Sequence, residues 1–483
     1  MTINELEPKA IWKHFSDLNA VPRPSKKEER VIQFMVDFGK SLGLNTQVDK
    51  TGNVIIKKEG SLHLKGAPAV ILQSHLDMVH QKNNDTVFDF DKQGIEMLID
   101  GDWVKANGTT LGADNGLGVA TIMALLSSTN IAHPPLEAMF TIDEETGMTG
   151  AKELDGSLYD GKTLLNLDTE DDDELSIGCA GGIDTNTSYA CELEAIKTGS
   201  EIFKIDIKGL NGGHSGMDID KGLGNANKIL NRILYSLLNK TSFQLISFDG
   251  GSLRNAIPRE AVGVVAVENG NLEAFKSELA AISSVIKTEM ITKEANMVID
   301  LIPANTSEKS AVADKDLKKI VQTIYGIPNG VFRMSPDIEG LVETSSSLAR
   351  VLIKDGKFTS QSLQRSSVDS TKDDVANTVK CSFELMGCTV EQGGDYPGWQ
   401  PNPNSEILKV MTKLYRDMFN EEPQVKACHA GLECGILGQH LPGVDMISFG
   451  PNIRGAHSPE EKVQISSVQK FWKFLLATLE QMN

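Results

Sequence analysis

Apolar residues recur along the chain in two textures, short unbroken runs and amphipathic stretches. Ala69 to Gln73 is a compact apolar run between Pro68 and the polar pair Ser74-His75, the texture of a strand buried on both faces of a parallel sheet. It returns at Ala138 to Ile142, which ends in Asp143-Glu144-Glu145, and at Thr163 to Leu167, which ends in Asp168. It returns again at Met446 to Phe449, which runs into a Gly/Pro loop ending at Ala456-His457. Helices are predicted between and beyond these runs, at Gly118 to Ser127, Ile407 to Phe419 and Val468 to Leu479. Upstream, Ser25 and Glu28 form a capping-box pattern after Pro22-Arg23-Pro24, ahead of Val31, Met35, Phe38 and Leu42 at helical spacing. These elements predict a layered α/β domain. Acids and histidines cluster where its strands stop, which is where open α/β sheets bind ligands.

The texture changes near residue 186. Phe203, Ile205 and Ile207 alternate with Lys204, Asp206 and Lys208, as in an antiparallel strand with one wet face. Amphipathic helices are predicted at Ala226 to Leu238 and Leu272 to Met290, and strands near Ala261 to Val267 and Val379 to Met386. After the segment GGDYPGW at 393–399 the strand-end pattern resumes. The expected organisation is a discontinuous catalytic domain, 1–185 plus 395–483, with an α+β lid-like domain, 186–394, inserted between. Glycines at 181–182 and 393–394 are the expected pivots.

Composition narrows the class. A chain of 483 residues exceeds what one core usually supports, and 40% hydrophobic with 23% charged residues is ordinary for globular proteins. Lys and Arg total 47 against 66 Asp and Glu, a net charge of −19, the wrong sign for nucleic acid or anionic lipid and the right one for cations. The opening MTINELEPKAIWKHF lacks the basic and apolar regions of a signal peptide, and the longest apolar runs fall short of a membrane span. Six cysteines with no Cys-x-x-Cys pair read as reduced thiols. A cytoplasmic protein is expected. Gly156 to Thr163 satisfies the P-loop pattern, but a helix is predicted before it and a strand after it, the reverse of a phosphate-binding context. The acidic run Glu170 to Glu174 reads as a solvated loop.

The candidate chemistry lies in His75-Leu76-Asp77, Asp114, Glu144-Glu145, Asp168 and His457. Imidazole and carboxylate donors suit zinc, cobalt or manganese, and a two-metal site needs one bridging carboxylate with further ligands on each side. Any one of these residues alone reads better as a structural histidine or a solvated turn. Their recurrence at successive strand ends favours a metal site. Asp77 lies two residues after His75 on the same strand face, where a carboxylate can fix an imidazole's tautomer.

The motifs SHLDMV (74–79), GTTLGADNGLGVA (108–120), DEETGMTGA (143–151), NLDTE (166–170), GGHSGMDI (212–219) and GAHSPEE (455–461) resemble those of the dinuclear zinc exopeptidases of metallopeptidase family 20. GLVETSSSLA (340–349) and YPGW (396–399) resemble the branch that cleaves aminoacyl-histidine dipeptides. The resemblance implies a zinc-exopeptidase-like catalytic domain with a central mixed sheet flanked by helices, an inserted lid domain, and a homodimer. It implies two divalent ions, with Asp114 bridging, His75 and Asp168 on one, Glu145 and His457 on the other, and Glu144 as general base to a metal-bridging water. It implies substrate contacts from His214, Asn255 and Arg365, the last clamping a C-terminal carboxylate. Gly431 either shapes the substrate pocket or is a structural turn. Cys428, His429, Glu433 and Cys434 match no zinc-knuckle spacing and read as buried or turn residues. The expected activity is hydrolysis of unblocked dipeptides, Xaa-His and β-alanyl-histidine included. A tripeptidase or N-acyl amino acid deacylase on the same scaffold, or a non-catalytic peptide-binding homologue, are the alternatives.

Overall fold

A computed structural model describes residues 2–482, and its contacts divide into two compact units. The first runs to Gly178, resumes over Trp399–Ala427 and again from Leu432. The second is Cys179–Gly398 with the short segment Cys428–Gly431.

The first unit is built on an eight-stranded sheet. Its four central strands lie parallel in the order Leu136–Thr141, Val70–His75, Thr163–Asn166, Asp445–Ser448. Val54–Lys58 and then Asn45–Val48 extend one side antiparallel, and Glu174–Cys179 and Gln424–Cys428 extend the other. The apolar runs account for the central strands, since every residue of Val70–His75 and Leu136–Thr141 is buried. The helix Ala113–Ser127 is apolar on all sides and almost wholly buried, and it packs with Trp12, Phe15 and Val468 in one cluster. A separate four-stranded sheet joins Met97–Asp100, Trp103–Ala106, Lys462–Gln464 and Ile453–Arg454. The loop between its last two strands carries His457.

Two local expectations give way to a different arrangement. Glu28 is the N-cap of the helix Glu29–Ser41 without a side-chain cap bond. Its carboxylate accepts the N–H groups of Lys26 and Asp143 instead, while Ser25 donates to the Met78 carbonyl. The acidic run is a half-buried, ion-paired turn rather than a freely solvated loop: Asp171 pairs with Arg454, Asp172 with Lys470, and burial pushes the Glu170 carboxyl up to about 8. In the P-loop look-alike, the N–H groups of Asp160 and Gly161 are taken by the Glu137 carboxylate, leaving no phosphate cradle there.

The second unit has a nine-stranded antiparallel sheet, running from Val298–Pro303 through Ser200–Lys208, Ala261–Glu268 and Gln244–Gly250 to Val342–Lys354, Lys357–Ser366, Gly181–Ala190 and Thr389–Tyr396, with Gly330–Met334 pairing off this path on Val342–Lys354. Phe203, Ile205 and Ile207 bury while their neighbours are half-exposed, as alternation requires. The helices Ala226–Lys240, Leu272–Met290, Asp314–Gly326 and Asp369–Met386 contribute the rest of its core. Val379 to Met386 is helix, not strand: Val375, Val379, Phe383 and Met386 recur every three to four residues and bury one helical face.

The sequence placed the domain boundaries at 185/186 and 394/395. The units divide at 178/179 and 398/399, because Gly181–Ala190 and Thr389–Tyr396 pair within the second sheet. Of the glycines expected to pivot, Gly393 and Gly394 are exposed, whereas Gly181 and Gly182 are close-packed strand residues. A Cβ on Gly181 would lie 2.4 Å from the Tyr396 carbonyl oxygen, and one on Gly182 would lie 2.7 Å from the Tyr396 hydroxyl. Among the described residues no helix is long and apolar enough to cross a membrane.

Candidate metal centre

The ends of the parallel strands and two loops bring the first unit's candidate residues to one place. His75 ends its strand, Glu144 and Glu145 follow Thr141, Asp168 follows Asn166, and Asp114 lies in the first turn of the helix Ala113–Ser127 with non-helical backbone angles. Asp114 turns one oxygen to each histidine: Oδ1 is 3.1 Å from His75 Nε2 and Oδ2 is 3.2 Å from His457 Nε2. Asp168 Oδ1 lies 3.6 Å from His75 Nε2, and Glu145 Oε2 lies 3.0 Å from His457 Nε2. Each histidine therefore has its own acid and shares a third. His75 Nδ1 faces Asp77 at 3.3 Å. The two Asp77 oxygens also accept the N–H groups of Glu144 and Glu145, at 3.1 and 3.2 Å. Asp77 thus aims one ring and fixes the turn carrying both glutamates.

The electrostatics are those of a place built for cations. Burial works against charge on His75, but Asp168, Asp114 and Asp77 outweigh it and raise its proton affinity well above an ordinary imidazole. Hydrogen bonds to Asp114 and Glu145 raise His457. Burial alone would raise Asp114, yet His457 and His75 hold it well below the carboxylate range. Burial pushes Glu144 well above that range, with Asp168, Glu433 and Glu145 adding to the effect against His75. Glu145 Oε1 is buried without a hydrogen-bond partner. Ligand atoms of His75, Asp114 and Glu145 lie within 4.8 Å of one another. Two imidazoles and three carboxylates, one able to bridge, fit two divalent cations of the zinc, cobalt or manganese type.

Beneath His75 runs a buried polar ladder across the four parallel strands. Gln73 Nε2 donates to Thr141 Oγ1 at 3.1 Å, Asn166 donates to Gln73, and Ser448 donates to Asn166. Glu433, from the first turn of the helix Glu433–His440, closes the end: its Oε2 accepts from Gln73 Nε2 and Thr141 Oγ1, both at 2.7 Å.

The second unit gathers its own candidates. His214 pairs with Ala256 on a short strand beside exposed Asn255, and the N–H of Ser215 donates to the Asn255 carbonyl at 2.8 Å. His214 Nδ1 accepts the N–H groups of Gly216 and Met217 at 3.2 and 3.1 Å, so its neutral ring carries the proton on Nε2. Arg365 is 4% exposed, donates from Nη1 to the Tyr396 hydroxyl at 2.9 Å, and has a buried Nε without a partner. Among the described residues it pairs with no acid. Gly216 bridges the groups: a Cβ there would lie 2.1 Å from the His429 carbonyl oxygen and 3.2 Å from Arg365 Nε. Gly431 ends the Cys428–Gly431 segment that packs with this unit.

A family model for peptidase family M20/M25/M40 matches residues 71–481. The chain belongs to this family. It is an M20 metallopeptidase, and it is 41% identical over 480 residues to the cytosol non-specific dipeptidase of Escherichia coli strain K12, covering 99% of each chain. It is also 41% identical to the aminoacylhistidine dipeptidase of Vibrio alginolyticus, whose crystal structure superposes with a TM-score of 0.95 over 100% of this chain and 98% of that one. The aminopeptidase PepT of Bacillus cereus shares the fold at 16% identity, with a TM-score of 0.57 over 99% of both chains.

Several residues outside the proposed ligand set carry little signal in the sequence. Glu433 and His429 have a spacing that suits no zinc knuckle. Their roles depend on partners such as Gln73, Thr141 and Ser345, far away in sequence. Asn115 sits inside the GADNG motif and donates to both the Leu167 carbonyl, at 2.9 Å, and the Asp168 carboxylate. Its adjacency to Asp114 is the one clue the sequence offers.

Proposed function

We propose that this M20 metallopeptidase hydrolyses unblocked dipeptides, with histidine favoured at the C-terminal position and β-alanyl-histidine among its substrates. The observation that carries the chemistry is Asp114, one carboxylate facing two separate histidines at 3.1 and 3.2 Å. In this reading His75 and Asp168 would hold one divalent ion, Glu145 and His457 the other, and Asp114 would serve both. Bound there, the ions would polarise the scissile carbonyl and lower the pKa of the attacking water. Glu144 takes that water's proton on its carboxylate and returns it to the leaving nitrogen as the C–N bond breaks. One water is consumed, and a carboxylic acid and an amine leave. Asp77 holds the His75 ring so that Nε2 presents its lone pair.

The second unit supplies recognition. His214, with Nδ1 committed to backbone, offers Nε2–H to the oxygen that gains charge in the transition state. Arg365, a buried guanidinium with no acidic partner among the described residues, takes the substrate's C-terminal carboxylate. Asn255 and Gly431 complete the substrate contacts. The dipeptide class is supported by the names of the two relatives at 41% identity, one a non-specific dipeptidase and one an aminoacylhistidine dipeptidase. A cytosolic setting rests on the name of the Escherichia coli relative.

Amine release is to be measured from β-alanyl-histidine, two ordinary dipeptides, a tripeptide and an N-acetylated amino acid. The expected result is cleavage of the unblocked dipeptides, fastest with C-terminal histidine. Cleavage confined to the tripeptide or the acetylated substrate would overturn the dipeptidase reading while leaving the metal centre in place.

A further inference from the structure

Two residues outside the proposed ligand set, Arg23 and Glu461, grip a single stretch of main chain, 111–114, with opposite charges. Glu461 is 2% exposed and follows His457 by four residues. Its carboxylate accepts four consecutive main-chain N–H groups: Leu111 and Gly112 on Oε2 at 2.7 and 2.9 Å, then Ala113 and Asp114 on Oε1 at 2.7 and 3.2 Å. Arg23 is 1% exposed and donates to main-chain carbonyls. Nη1 reaches Leu76 and Asp77 at 3.1 and 3.0 Å, and Nη2 reaches Gly112 at 2.6 Å and the Asn19 side chain at 3.1 Å. Gly112 is therefore held by its N–H on the anion and by its C=O on the cation.

The local sequence is cut to fit this grip. Gly112 has φ +70°, and a Cβ there would sit 2.5 Å from Arg23 Nη2. A Cβ on Gly116 would meet the same atom at 2.5 Å. Among the described residues neither Arg23 nor Glu461 forms an ion pair. Each charge has been taken out of water, at an effective cost of several kcal/mol, to bind backbone and, for Arg23, one asparagine side chain. A loop that needed only stability is held more cheaply by apolar packing. What the two charges add is fixed distance: Arg23 ties the turn after His75 to the segment entering Asp114, and Glu461 ties that segment to the loop carrying His457.

We propose that Arg23 and Glu461 are positioning residues that set the spacing of His75, Asp114 and His457, so that one Asp114 carboxylate can face both histidines. The proposal rests on the reading of Asp114 as the shared ligand. Glu461→Gln keeps the volume but turns an N–H donor toward other N–H donors, and Arg23→Lys keeps the charge but loses the fork.

The test uses the full chain of wild type, E461Q, R23K and D114N. Three quantities are read: amide hydrogen exchange over residues 111–114 in chelator-treated protein, zinc affinity by competition with a chromophoric chelator, and kcat and KM on a dipeptide. The expected result for E461Q is lost protection of these amides, zinc binding weaker by ~10- to 100-fold, and a fall in kcat with KM little changed. R23K should show the same pattern to a lesser degree, and it decides the matter should E461Q not fold. Wild-type zinc affinity and kcat in the folded variants would overturn the proposal, even if their thermal midpoints fell, because a purely structural grip moves only the midpoint. D114N separates the two readings. If it binds two zinc ions as tightly as wild type, the shared-ligand reading fails. If it loses zinc while E461Q does not, only the positioning role fails.

Discussion

Glu144 and Glu145 are neighbours in sequence with different surroundings. Glu145 hydrogen-bonds His457 Nε2 at 3.0 Å, whereas Glu144 is pushed toward protonation by burial. Glu144→Ala is predicted to lower kcat by ~10²- to 10⁴-fold with two metal ions per chain still present by elemental analysis. Near-normal turnover would remove Glu144 from the mechanism, and loss of an ion would make it a ligand. His429 illustrates a pH effect at the same scale. Its Nε2 lies 2.7 Å from Ser345 Oγ, and burial with the nearby Arg365 charge takes its pKa from 6.5 down to about 3. The folded state therefore resists a proton that the unfolded chain accepts. Stability is unaffected above pH 6.5 and falls as pH drops from 6.5 toward 3, by up to about 1.4 kcal/mol per pH unit from this group. Denaturant melts across that range should be less acid-sensitive in His429→Asn; an identical pH slope would contradict the assignment. The proposed ligands are legible in the sequence because each ends an apolar run or sits in a recognisable motif. The roles of Arg23 and Glu461 are not, although Glu461 ends the GAHSPEE motif, because their partners are mostly main-chain groups of residues distant in sequence, which leave no side-chain pattern.

At the scale of elements, the polar ladder shows how strands that read simply as apolar carry the site. Thr141, Gln73, Asn166 and Ser448 stand on four adjacent parallel strands, each fully buried and each bonded to the next. Gln73 shares a strand face with His75, and Asn166 precedes Asp168 by two residues. The ladder thus fixes strand ends from which proposed ligands project. Glu433→Ala removes its anchor and leaves a Gln73 N–H and the Thr141 O–H unsatisfied, at about 1–3 kcal/mol each. Glu433→Gln costs less, because its amide oxygen can still accept from both. Urea midpoints should rank wild type, Gln, Ala in falling order; an Ala variant as stable as wild type would deny the anchoring role. The helix Asp369–Met386 is the element the sequence misleads on. Val379 to Met386, taken alone, is short and mixed enough to pass for a strand. The helical period shows only when Val375 and the turns before it are included.

For the whole molecule, the layered α/β unit with an inserted antiparallel unit is legible from the change in texture near residue 186, since buried parallel strands and one-face-wet antiparallel strands differ in composition. The further stretch of the second unit, Cys428–Gly431, is not. Four residues carry too little pattern to reveal which core they join, and their placement follows from packing such as His429 on Ser345 and the Gly216 turn. Two cations, shared through Asp114, make the whole chain a peptidase on this account. A ligand bound only by the folded state stabilises it, so stripping metal should lower both the melting temperature and the activity. The most direct measurement is a calorimetric titration of chelator-treated protein with zinc, with β-alanyl-histidine hydrolysis followed on the same samples. The account predicts two equivalents bound per chain and activity restored as the second fills. Full activity in the metal-free protein, or binding of a single equivalent with full activity, would contradict it.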